Sequence, residues 1–342
     1  MKKLLLVSLL LVAGAVQAGG KVVVYNWSEY IDDSVLEDFT KETGIEVVYS
    51  TFDSNEVMYS KLKLQKGKGY DIVVPSTYYI SKMVNEGLLQ KLDKSKLKNI
   101  KNLNPDLLNK DYDPGNQYSL PYMWGSTGLC YNADEVKPGS ITAWKDLWDP
   151  KWKGKLLFTD DVREVFHMAL RINGHSGNSS NPDEIRQAYE TLKKVIPNVL
   201  VFNSEAPREP YLSGDVIVGM NWNGEAVSAA QENPAIQYVY PKEGAVFWVD
   251  SLAIPAGAEN IDNAHAFIDY MLRAEIAKRN TEYVGYATPN KAALPLLSKE
   301  TRENPVIFPP ADVIANGEFH RDIGNEAMQL MNDYWQKLKT RQ

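Results

Sequence analysis

The chain carries a single cysteine, Cys130, and four histidines, His167, His175, His265 and His320. One thiol cannot form an intramolecular disulfide, so the fold must rest on its apolar core. The histidines show no His-x-x-x-His spacing, and no second cysteine is present to share a metal. One Glu-x-x-His, Glu164 to His167, lacks the partner that a di-metal bundle requires. Neither a Gly-x-Ser-x-Gly elbow nor a phosphate-cradling glycine loop occurs, so nucleophilic and nucleotide chemistries find no support. Basic charge is also scarce: 37 basic against 44 acidic side chains leaves a net charge of −7, which disfavours nucleic acid and favours cationic partners.

Long apolar runs are missing too, except at the start. Lys2 and Lys3 precede the run Leu4 to Val12, and Val16-Gln17-Ala18 matches the small-residue pattern of a cleavage site. The run is shorter than the roughly 20 residues a membrane span needs. A signal peptide over 1–18, cut after Ala18, is therefore expected, and with it an exported, periplasmic protein. No cysteine follows the cleavage point to carry a lipid. Cleavage removes Lys2 and Lys3 and takes the charge from −7 to −9.

What remains, residues 19–342, is long enough for two domains. Val22 to Tyr25 reads as a strand, Val35, Leu36 and Phe39 as one face of a helix that Gly44 ends, and Ile45 to Tyr49 as a second strand. Met58, Leu62 and Leu64 mark another helix, and Asp71 to Val74 a third strand. This βαβαβ order predicts a parallel sheet whose ligand loops are Asn26 to Tyr30 and Pro75 to Tyr79. Further on come strands at 155–158, 216–220, 236–240 and 246–254. Helices are expected at 164–172, 183–196, 261–283 and 325–338. Cys130, in Thr127 to Tyr131, reads as a buried strand residue. No repeat and no Gly/Ser-rich tether separates two halves, which predicts domains that exchange strands through hinge-forming crossovers.

Eight tryptophans and nineteen tyrosines are many. Trp27, Trp222 and Trp248 stand in polar contexts, suited to a sheet rim facing a flat or cationic ligand. Trp144, Trp148, Trp152 and Trp335 read as packing or surface cover, and Trp124 is undecided. Asp160 or Asp161 caps a helix with Glu164 in its first turn, which is compatible with a ligand role. Each ammonium of a linear polycation needs a carboxylate or several acceptor oxygens, and its methylenes need apolar walls. Asp161, Glu164 and Asp250 with Trp27, Tyr30, Trp222 and Trp248 supply both. Two other chemistries can be written on the same residues: an exported glycoside-active enzyme using Asp161 and Glu164, and a ferric-iron binder using Tyr78 and Tyr79.

Six ordered segments carry a family resemblance: Tyr25 to Tyr30, Val74 to Tyr79, Thr159 to Phe166, Trp222-Asn223-Gly224, Phe247 to Ser251 and Gly285 to Asn290. In these the chain resembles the periplasmic spermidine/putrescine-binding proteins that feed ATP-binding-cassette importers. The resemblance implies an α/β, two-lobed type II periplasmic binding protein fold with central mixed sheets and a hinge. Its lobes would be 19–126 plus 251–302 and 127–250 plus 303–342. It implies a polyamine in the cleft, spermidine before putrescine, with no cofactor or metal, a membrane permease as partner and a monomer as the default state. Trp27, Tyr30, Tyr78, Trp222, Trp248 and Tyr286 would box the methylene chain. Asp161 and Glu164 would take one terminal amine, Asp250 the internal amine, and Ser28, Ser76 and Thr77 would help at the other end. His320 stands in a segment where the family has glutamine. A neutral imidazole there accepts a bond from an ammonium and a protonated one repels it, so affinity is expected to fall as pH drops toward roughly 6. A putrescine-preferring receptor of the same class is the alternative within the family.

Overall fold

The computed structural model describes residues 19–340. The expected signal peptide, 1–18, lies outside the described residues. Strand β1 (Lys21–Trp27) leads to helix α1 (Asp33–Thr43), which Asp32 caps by accepting from the Ser34 N–H and which Gly44 ends at φ +70°. Next come β2 (Glu46–Phe52), α2 (Asn55–Leu64), the short β3 (Ile72–Val73) and α3 (Thr77–Asn85). As the βαβαβ pattern predicts, β1 runs parallel to both β2 and β3.

The fourteen-residue β4 (Ser119–Asn132) follows; of it, only the stretch around Cys130 is legible as strand in the sequence. Pro121, Gly125 and Gly128 mask the rest. The glycines have a packing reason: a Cβ at Gly125 would lie 2.6 Å from the Trp248 ring, and one at Gly128 2.5 Å from the Tyr238 hydroxyl. Then come β5 (Leu156–Phe158), α4 (Val162–Ile172), α5 (Pro182–Val195), β6 (Val199–Phe202), α6 (Glu209–Ser213) and β7 (Val218–Trp222). Helix α7 (Asn223–Glu232), β8 (Ile236–Val239) and β9 (Val246–Ala253) continue the chain.

The helix expected over 261–283 is two helices, α8 (Ile261–Met271) and α9 (Ala274–Val284). Arg273 is extended at ψ 143°, and the amides of Asn102 and Asn290 both donate to the Leu272 carbonyl, satisfying the end of α8 at the break. The chain closes with α10 (Lys299–Glu303), α11 (Ala311–Asn316), β10 (Glu318–Phe319) and α12 (Asn325–Lys339).

The strands join in the order β2-β1-β3-β9-β4-β7-β5-β6, with β10 beside β9 and β8 beside β4. One large buried cluster draws on residues 22–123 and 246–286, and a second on residues 129–220 and 327–338. Antiparallel β4 and β9 pass between them: Ser119 to Thr127 of β4 pairs with β9, and Thr127 to Tyr131 pairs with β7. Trp144, Trp152 and Trp335 are buried in the second cluster and Trp148 packs against it. Trp124 lies 6.4 Å from both Phe247 and Phe319, at the crossing. Cys130 is fully buried, and desolvation pushes its thiol up to about 12.

Candidate functional site: an aromatic and acidic cleft at the strand crossing

The carboxyl ends of β1 and β3 and the start of α4 converge on one cavity. Trp27 ends β1, and its indole N–H donates to the Val74 carbonyl at 2.9 Å, tying the ring to the rim of β3. Ser76 occupies the cap position of α3, yet its hydroxyl does not cap the helix. It donates instead to Asp250 at 2.6 Å, and the Tyr30 hydroxyl donates to the other oxygen of Asp250 at 2.9 Å. Buried Asn55 holds this corner: its amide donates to the Ser76 hydroxyl at 3.0 Å and to the Tyr78 hydroxyl at 2.9 Å, while its oxygen accepts from the Ser76 N–H.

On the opposite wall Asp161 caps α4, one oxygen accepting from the Glu164 N–H at 3.0 Å. Asp160 faces away and pairs with Lys339. Glu164 is fully engaged: Thr127, Thr159 and the Trp222 indole donate to its carboxylate at 2.7 to 3.0 Å. The Trp248 indole donates to Thr127, extending the network across β4. Trp27 meets Trp222 edge to face at 6.2 Å, and Tyr286 packs edge-on against Tyr30 and Trp248 at 5.2 and 5.3 Å. The result is an aromatic sleeve with carboxylates set into it.

Those carboxylates are crowded and dry. Burial lifts Glu164 to about 8, with Asp161 adding to the shift against three donors. Burial likewise lifts Asp250 to about 7, opposed by Ser76 and Tyr30, and raises Asp161. A cation entering the cleft would relieve this, whereas a neutral sugar would not.

Of the residues expected at the site, Trp27, Ser28, Tyr30, Ser76, Tyr78, Asp161, Glu164, Trp222, Trp248, Asp250, Tyr286 and His320 all line the cavity. Thr77 does not: it is buried one helical step, about 100°, round from Tyr78. Tyr79 is also outside, donating to Glu56 at 3.0 Å, so the adjacent tyrosines do not converge on one ion. Ser204, Glu205, Pro207 and Glu225 line the cleft without having been expected there. Glu225 stands one residue beyond Trp222-Asn223-Gly224, a signal that could have been followed. Ser204 lies in a loop with no pattern of its own.

The surroundings of His320 oppose the titration expected of it. Its ring is buried between Tyr78 and His167, at 5.4 and 5.2 Å. Burial, the Arg163 guanidinium and His167 hold it well below the usual histidine range, which opposes protonation of the ring.

A mixed sheet whose strands cross between two buried cores, with a polar and aromatic cleft at the crossing, defines a type II periplasmic binding protein. The chain belongs to the bacterial extracellular solute-binding protein family, whose family model matches residues 34–309, and within it stands with the spermidine/putrescine-binding periplasmic proteins. The protein of that name from Escherichia coli K12 is 52% identical over 339 residues, 96% of this chain and 97% of the relative. A solved chain from Listeria monocytogenes superposes with a TM-score of 0.90 at 39% identity, covering 94% of this chain and 99% of that one. The spermidine/putrescine ABC transporter substrate-binding protein of Streptococcus pneumoniae has a TM-score of 0.79, also at 39% identity and with the same coverage.

Proposed function

We propose that the protein captures a polyamine, spermidine in preference to putrescine, in the cleft between its lobes and delivers it to an ABC-type permease in the membrane. The observation that carries this reading is the pair Asp161 and Asp250. Both carboxylates are buried, both are raised by desolvation, and both face an aromatic sleeve that would pack on methylenes. Asp161 has an oxygen to offer a terminal ammonium, and Asp250 is poised for an internal one. Glu164 acts one step back, holding Trp222 in place.

This is the chemistry of a carrier. With both Glu164 oxygens occupied by Thr127, Thr159 and Trp222, the Asp161 and Glu164 pair lacks the free second carboxylate that acid and base work on a glycoside would need from it. The lobes are assigned as 19–126 plus 251–302 and 127–250 plus 303–342, a division the two buried clusters support except at Val246 and Trp248 of β9, which pack into the first. Ligand that touches both lobes gains its full set of contacts only when they close, so binding drives closure. Export through a signal peptide cleaved after Ala18 places the mature monomer in the periplasm, where the named relatives work.

Isothermal titration of refolded, ligand-stripped mature protein tests the reading. Tight one-to-one binding of spermidine, stronger than that of putrescine and lost in Asp161→Asn, is expected. No heat with either amine overturns it.

A further inference from the structure

Arg208 carries an ion pair that the cleft chemistry does not use. Its guanidinium lies 2.8 Å from Glu29 and 3.4 Å from Glu225. Glu29 follows β1 in the first lobe, whereas Arg208 immediately precedes α6 and Glu225 stands on α7 in the second. Among the described residues, the other ion pairs lie within one lobe, as Arg273–Glu42, Arg279–Asp38, Arg171–Glu318 and Lys339–Asp160 do, apart from Lys299–Glu303, which stays inside the single helix α10 at the lobe boundary. Arg208–Glu29 is the ion pair that joins separate elements of the two lobes, beside the neutral-donor hydrogen bonds of Tyr30 and Ser76 to Asp250 and of Ser81 to Asp322. The arginine side chain is 20% exposed and that of Glu29 46%, so water reaches the contact mainly from the glutamate's side. Glu29 is held at φ +52°, in the left-handed region that an L residue rarely adopts, on the loop between Trp27 and Tyr30. Glu225 lines the polyamine cleft and a neighbouring interlobe cavity of about 1070 Å³ that Glu29 and Arg208 also line, so the ion triad stands at the boundary of the two.

We propose that Arg208 is an interlobe clasp: it closes onto Glu29 when the lobes meet, is braced by Glu225, and sets how long the closed state lasts. Opening separates the α6 and α7 wall from the β1 loop and breaks the pair. The clasp therefore slows release of ligand without speeding its entry, and favours closure in the ligand-free protein as well. The part concerning release rests on the polyamine reading above; the part concerning closure does not.

Two measurements test it on the mature chain. Stopped-flow release of spermidine is expected to be about five- to tenfold faster in both Arg208→Gln and Glu29→Gln, the scale of one charge-assisted contact. The double variant should release no faster than the faster single one, because each removes the same bond. Arg208→Lys should restore part of the effect. Unchanged release, or effects that add, overturns the clasp. The second measurement needs no ligand: spin labels at Leu64→Cys and Leu200→Cys, exposed on opposite lobes, report the interlobe distance, with Cys130 too buried to be labelled. Arg208→Gln, or salt raised from about 0.05 to 0.5 M in the unmodified arginine protein, should shift the distribution toward the longer distance. Identical distributions overturn the proposal. Failure of the protein to bind spermidine at all would remove the polyamine reading, and the distance comparison would still decide the clasp.

Discussion

The indole N–H of Trp222 points at Glu164 and lies 2.9 and 3.0 Å from its two carboxylate oxygens. A tryptophan that is only half-buried at the sheet rim is thereby fixed in one orientation, edge to face with Trp27. The same carboxylate accepts from Thr127 on β4 and Thr159 beyond β5, so one side chain aligns three elements at the cleft.

Glu164→Gln is expected to weaken spermidine binding by about tenfold or more, because the new amide group faces three donors and can accept through one oxygen only. Titration calorimetry paired with tryptophan emission checks this. Weakened binding without a change in Trp222 environment would separate the two residues.

Asp250 accepts from Tyr30 and Ser76 while being raised by burial, and in the proposed reading it is the partner of the internal amine. Asp250→Asn should weaken spermidine by about 2–4 kcal/mol, as for truncation of one partner of a buried charge pair, and putrescine by less. Equal losses for the two amines would sink the assignment.

The carboxylate shifts carry a sign. Asp250 and Glu225 are lifted to about 7 and Glu164 to about 8, above the unfolded range near 4. Between those limits the folded, ligand-free protein binds more protons than the unfolded chain. Its stability is therefore full below about pH 4 from these groups, and this contribution is lost as pH rises through 7 to 8. Spermidine pairs with the ionised forms, so its stabilising effect should grow over the same window. Thermal melts from about pH 5 to 8 with and without spermidine measure both slopes; parallel curves would count against the site.

His320 should contribute nothing to the pH dependence of spermidine affinity, although, with its folded value depressed, it lowers the stability of the fold as pH falls below the ordinary histidine range. Held neutral by burial, Arg163 and His167, it leaves His320→Gln with the same midpoint of affinity against pH as the unaltered protein. A midpoint moved by half a unit or more, in calorimetry across the range, would show that the imidazole titrates after all.

Gly224→Ala is expected to cost binding and stability together. A Cβ there would stand 2.5 Å from the Tyr286 ring, which is itself wedged against Tyr30 and Trp248 and cannot turn away. Overpacking of this kind costs about 1–3 kcal/mol. Denaturant unfolding and spermidine titration of the same preparation read the two losses.

Much of this architecture was legible in residue order. The β-branched runs at 22–25 and 45–49 and the helix faces between them dictate parallel pairing, since period and turn residues act locally. Asp161 as a helix cap with Glu164 in the first turn was equally readable, because capping needs only a three-residue spacing. The long strand β4 was not, since its proline and glycines read as breaks until Trp248 and Tyr238 are packed over them. Nor was the break between α8 and α9, which depends on amides from Asn102 and Asn290 far along the chain.

By itself, the sequence determined which groups were on offer: an acidic, aromatic-rich chain with carboxylates beside indoles suits a cation, while a glycoside-active and a ferric-iron reading could be written on the same residues. Which carboxylates are free to meet a cation was decided only by the tertiary structure. Folding saturates Glu164 with three donors, leaves Asp161 and Asp250 facing the cleft, adds Glu225, turns Thr77 and Tyr79 out, and silences His320 beneath Arg163. The reason is physical: composition states which groups exist, whereas their protonation and availability depend on burial and on neighbours brought from distant parts of the chain.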